Sequence, residues 1–62
     1  MTTYFRLSVQ STCEVRQLLG ATSYIVDVRP CHDIFEIMIR DVALDRFYFI
    51  EVSASIAAEF NF

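Results

Sequence analysis

The chain has 62 residues, with five Arg, no Lys, eight acidic residues and one His, a formal net charge of -3 and an apolar share of 55%. That length holds one domain at most, and the apolar share belongs to a folding sequence, not a disordered one. No basic stripe exists to supply the electrostatic footprint of a nucleic-acid binder, so residues 1–62 read as a single compact domain with no direct nucleic-acid partner.

At 7.2 kDa the chain exposes roughly 10,400 Å² unfolded and about 4,100 Å² folded. Burying about 3,800 Å² of apolar surface contributes about 95 kcal/mol, against about 93 kcal/mol of ordering entropy. The near balance makes a homodimer the expected state.

From Thr3 to Gln10 the chain alternates, with Phe5, Leu7 and Val9 pointing one way and Tyr4, Arg6, Ser8 and Gln10 the other, the pattern of a half-buried strand. Ser11-Thr12-Cys13-Glu14 then reads as a capping box that starts a helix of about two turns. Val15, Leu18 and Leu19 form its buried stripe, and Gly20 is placed for a left-handed close. Thr22 to Arg29 alternates again, with Tyr24, Val26 and Val28 on one face and Ile25, Asp27 and Arg29 on the other. Pro30 removes a ladder donor and ends this strand, leaving Pro30 to Asp33 as a turn.

Ile34 to Arg40 forms a third strand with Phe35, Ile37 and Ile39 inward and Glu36, Met38 and Arg40 outward. Asp41 to Asp45 connects it to Arg46–Ser53, a strand with two apolar faces: Phe47 and Phe49 on one, Tyr48, Ile50 and Val52 on the other. Residues 54–62 fit either a strand (Ile56, Ala58, Phe60, Phe62) or a helical turn (Ile56, Phe60), and the extended reading is preferred. The fold class is α+β: a small β-α-β-β-β domain, mostly an antiparallel four-stranded sheet with one short helix on one face. One helix cannot cover both faces, so the second apolar row of the fourth strand calls for another cover.

Chemistry is sparse. Cys31, His32 and Asp33 contain the residue types of a thiol nucleophile set, but neighbours in a turn diverge more often than they converge, so a cysteine enzyme using Cys31 and His32 is the least favoured reading. Cys13, Cys31, His32 and Asp33 are zinc-ligand types without zinc-site spacing, and a single Gly leaves no phosphate-binding loop. No catalytic residue, metal or cofactor is therefore expected. The opening Met-Thr-Thr-Tyr-Phe-Arg has no basic leader and apolar core, no apolar run approaches membrane-spanning length, and two Cys suit a reducing compartment. The expected setting is cytoplasmic, with no membrane contact.

What is left is surface. Residues 1–31 sum to +1, three Arg against Glu14 and Asp27, and residues 32–62 sum to -4, two Arg against six acids. Glu36, Asp41 and Asp45 as rim charges, with Tyr48, Phe60 and Phe62 as aromatic anchors, form the expected docking set for a larger protein with a basic surface. By analogy of size and class, the expected role is a small stand-alone protein that modulates or inhibits such a partner, of the kind phages and mobile elements use against host complexes and bacterial defence systems. The alternative is a homodimeric module that senses a small ligand at its seam.

Overall fold

In the computed structural model, which describes residues 1–60, the elements run β1 (Thr3–Ser8), α1 (Thr12–Leu18), β2 (Ser23–Cys31), β3 (Ile34–Asp41), β4 (Arg46–Ser53) and α2 (Ala54–Glu59). The strands form one four-stranded sheet in the order β1-β4-β3-β2. β1 lies parallel to β4, while β4 with β3 and β3 with β2 are antiparallel. The α+β class and the four-stranded, mostly antiparallel sheet agree with the sequence reading. β1 and β2 run the same way, as a crossover requires, but at opposite edges with β4 and β3 between them.

Both helices lie on the same face. Val15 of α1 and Ala57 of α2 share one buried cluster with Val9, Ile37, Ile39, Ile50 and Val52. Ile37 and Ile39 of the inward row expected for the third strand are core residues, with Phe35 packed against them. On the fourth strand the outcome differs from the expectation: the helices cover the row of Tyr48, Ile50 and Val52, and the row of Phe47 and Phe49 is the one left open. The accessible surface of 4227 Å² is close to the roughly 4,100 Å² expected of a folded chain of this mass.

Four local expectations are corrected. Residues 54–59 are helical, not extended: the Ser53 hydroxyl accepts the Ile56 amide at 3.3 Å as an N-cap, and Ala54, Ala57 and Ala58 are the strongest helix formers. The domain therefore has two short helices where one was expected, and the Phe62 part of that segment lies outside the described residues.

α1 starts as read, with Ser11 Oγ accepting the Glu14 amide at 3.2 Å. It ends without a left-handed glycine: no glycine has positive φ, and Leu19 closes the helix by donating to the Val15 carbonyl. β2 carries a bulge between Ile25 and Asp27, so Ile25 pairs with Ile39 and Val28 with Ile37 on the covered face. A bulge shifts the alternation by one residue, which is why Ile25 and Val28 share a face that strict period two would deny them. Finally, β2 runs through Pro30 to Cys31. It is an edge strand, where a missing N–H interrupts no ladder.

Candidate functional site

The face of the sheet away from the helices is uncovered, and the strand register sets its side chains in rows. Tyr4, Phe47, Arg40 and Tyr24 form the first row across β1, β4, β3 and β2. Arg6, Phe49, Met38 and Asp27 form the second, and Ser8, Glu51, Glu36 and Arg29 the third. The two middle strands thus put Phe47, Phe49, Met38 and Arg40 at the centre, with Tyr4 and Tyr24 at two corners, 64% and 54% exposed.

Aromatic rings organise one side of this face. Tyr4 stacks on Phe47 with centroids 5.4 Å apart and planes 7° from parallel, and Phe49 closes the group at 6.1 Å from Tyr4 and 6.5 Å from Phe47. Two guanidinium groups lie on the rings, Arg40 at 4.8 Å from Phe47 and Arg6 at 5.9 Å from Phe49. Such cation–π contacts contribute about 0.5–1 kcal/mol each where exposed. Beside them is a depression of about 190 Å³ lined by Arg6, Asp27, Arg29, Glu36, Met38 and Glu51. Arg29 Nε donates to Asp27 Oδ2 at 3.1 Å, leaving Glu36 and Glu51, directly opposite each other on β3 and β4, without a salt bridge among the described residues.

The residues singled out from sequence do not converge. Glu36 is on the open face, half-buried in the third row. Asp41 ends β3 and Asp45 precedes β4, and their carboxylates brace the connection between the two strands. The Asp41 side chain, 8% exposed, accepts the Leu44 amide at 3.1 Å and the Thr22 hydroxyl at 3.0 Å. The Leu44 amide, with the Thr22 hydroxyl behind it, holds this carboxyl below its ordinary value against the opposing effect of burial.

Asp45, in the left-handed region at φ 53°, accepts Arg40 Nη2 at 2.7 Å and the Thr2 hydroxyl at 2.9 Å. The Arg40 bond, then the Thr2 bond, lowers its pKa. Tyr48 belongs to the helix side, packed on the core, stacked on Phe5 at 5.5 Å and accepting Arg46 Nη1 at 3.3 Å. Phe60 also packs on the core, with the Arg16 guanidinium 5.6 Å from its ring. Phe62 lies outside the described residues.

Cys31 ends β2 half-buried, while His32 is exposed in the tight turn to β3 with φ 55° and Asp33 is exposed beside it. Cys13 is exposed on α1, and both thiols are free. Among the described residues no three His, Cys, Asp or Glu side chains are grouped to hold a metal ion. No helix among them is long and apolar enough to cross a membrane. No family model, curated protein or solved structure matches the chain.

The face that does concentrate aromatic and Arg side chains joins residues expected to point outward, Tyr4 and Arg6 on β1 and Met38 and Arg40 on β3, to Phe47 and Phe49 of β4, whose other row, Tyr48, Ile50 and Val52, was expected to be the uncovered one. The missing signal was strand order. Only when β4 lies between β1 and β3 do these separate outward positions become one patch.

Proposed function

We propose that this protein acts by binding another protein, not by catalysis, and that the open face of its sheet is the surface it uses. The observation that carries this reading is the stack of Tyr4, Phe47 and Phe49 under Arg6 and Arg40, on a face neither helix covers. Aromatic residues, Met and Arg are the types enriched at protein interfaces, and rigid rings lose little freedom when covered. Three Arg on this face are offset by Asp27, Glu36 and Glu51, so no positive field is available to draw in a nucleic-acid strand. The depression of about 190 Å³ is smaller than the roughly 300 Å³ at which small-molecule pockets begin.

In this reading the chain is a small cytoplasmic adaptor or inhibitor that occupies part of a larger protein. Its free thiols suit a reducing compartment. The test is affinity capture from the native host with the tagged chain, comparing wild type with Tyr4→Ala and Phe49→Ala, and with Glu59→Ala on the helix side as control. A protein retained by wild type and the control but lost from both face variants is the expected result. Identical capture by all four chains would move recognition off this face.

A further inference from the structure

We propose that in the free protein the open face is covered by a second copy of this chain, packed face to face about a two-fold axis running along the strands between β3 and β4. The proposal rests on the reading of this face as a protein-recognition surface, and it names what holds the surface when no other protein does.

The rows of side chains on this face are complementary to themselves. A two-fold along the strands keeps each row against its own row and reverses the strand order, so that β1 lies over the second copy's β2 and β4 over its β3. In the first row this sets Tyr4 against Tyr24 and Phe47 against Arg40. In the second it sets Arg6 against Asp27 and Phe49 against Met38. Each of these is a favourable pair: ring on ring, guanidinium on ring, guanidinium on carboxylate, thioether on ring.

The third row places Glu51 over the second copy's Glu36 and, by symmetry, Glu36 over its Glu51. With the Glu36–Glu51 neighbours of each chain, the row gathers four carboxylates at the axis, the one like-charge group of the interface. It also places Arg29 over the small Ser8, one strand from the second copy's Glu51, while Glu36 has Arg29 of its own chain as its cross-strand neighbour. Each Arg29 is thus about one strand spacing, roughly 4.8 Å, sideways from both its own Glu36 and the second copy's Glu51. Two guanidinium groups, each also bonded to Asp27 of its own chain, serve four carboxylates, so this row opposes the association that the first two rows favour. The face carries Arg6, Arg29 and Arg40 against Asp27, Glu36 and Glu51, so it has no net charge to repel its copy. A strongly acidic or basic partner surface would leave half of these groups unpaired.

Size agrees as well. Strands of about eight residues across a four-stranded sheet present roughly 500 Å² per copy, or about 1,000 Å² in total, at the lower end for a specific interface. Sheets stacked face to face keep their strands within about 30° of each other, which an axis about 15° from the strand direction provides. An interface this small predicts a dimer that dissociates on dilution.

The test uses charge reversal in trans. Within one chain Arg6 and Asp27 stand on opposite edge strands, three strand spacings or about 14 Å apart, so neither can rescue the other intramolecularly. Sedimentation equilibrium of the wild type at micromolar to submillimolar concentration should show a 14 kDa species in exchange with the 7.2 kDa chain. Arg6→Asp alone and Asp27→Arg alone should each weaken dimerisation by at least about tenfold. An equimolar mixture of the two variants should restore it, because the mixed pair regains one Arg–Asp contact at each end.

A wild type that stays monomeric throughout the range overturns the proposal without relying on any variant. A dimer that survives both reversals, or a mixture that fails to restore what each reversal loses while circular dichroism shows both variants folded, overturns the geometry. A monomeric wild type whose capture of another protein still depends on Tyr4 and Phe49 would leave the recognition reading standing while this one falls.

Discussion

Ile39 is fully buried in the middle of β3, facing Tyr48 on β4 and Ile25 on β2, and its truncation gauges how much the helix-covered core contributes. Ile39→Ala removes three carbons, about 2.4 kcal/mol of transfer free energy at about 0.8 kcal/mol each. An unrelaxed void of about 80 Å³ adds up to about 2 kcal/mol more at about 24 cal/mol per Å³. The expected loss is therefore about 2.4–4.4 kcal/mol, in a domain whose size allows only about 3–9 kcal/mol in all. Urea titration followed by far-UV circular dichroism reads it, at one fixed chain concentration because association adds to apparent stability. The midpoint should fall by more than about 1.5 M with little change in slope, or the variant should be unfolded before denaturant is added. Val26→Ala is the control: Val26 is the extra residue of the β2 bulge, 47% exposed, and should cost within about 0.5 kcal/mol. A loss below about 1 kcal/mol at Ile39, or an equal loss at both sites, would refute the placement of the core.

The two residues with left-handed backbone give a second prediction: His32→Val should lower the melting temperature by at least about 4 °C while His32→Gly does not, since a β-branched side chain is strained at φ 55° and glycine is not. Asp41 and Asp45 both have folded-state pKa values below normal, so the stability each provides is complete above the unfolded value of about 3.9 and is lost as pH falls through the lower folded value. Melting temperature measured from about pH 6 down to about pH 2 should therefore drop at the acid end, and the drop should be shallower in Asp45→Asn. Finally, Glu36→Arg should leave the melt within a few degrees of wild type, whereas Asp41→Arg, which places a cation where the Leu44 amide and Thr22 hydroxyl already donate, should unfold the β3–β4 connection and lower the melt sharply.

Strand positions were legible because Thr3–Ser8 and Ile34–Asp41 alternate without a break, and because Arg46–Ser53, apolar on both faces, is a short run of aromatic and β-branched residues bounded by turn residues. The second strand was legible in extent but not in facing, since a single extra residue near Val26 changes which side chains share a side without changing composition. The last helix was masked by coincidence: Ile56, Ala58 and Phe60 alternate like a strand, and only the Ser53 cap and the alanines spoke for a helix. The docking set was misplaced for a related reason. Asp41 and Asp45 are indistinguishable from solvated surface acids until the hairpin brings Leu44, Thr22, Thr2 and Arg40 to them. Tyr48 could be assigned to a face only with the helices in place, because β4 is apolar on both sides.

The same geometry explains why Asp45, expected as a rim charge, shapes the open face from a distance. Its carbonyl accepts the Thr3 amide at 3.1 Å and its carboxylate accepts the Thr2 hydroxyl, which fixes the start of β1 beside β4 and so sets Tyr4 over Phe47. The same carboxylate holds Arg40, whose side chain is only 20% exposed, over the Phe47 ring at 4.8 Å from its centroid. A guanidinium already fixed in position gives up little freedom when a protein covers it, and that pre-organisation supports the proposed use of so small a face. Among the described residues both short helices lie over one side of the sheet and leave the other open. The uncovered side is therefore ordered by a turn acid and stacked rings instead of by burial.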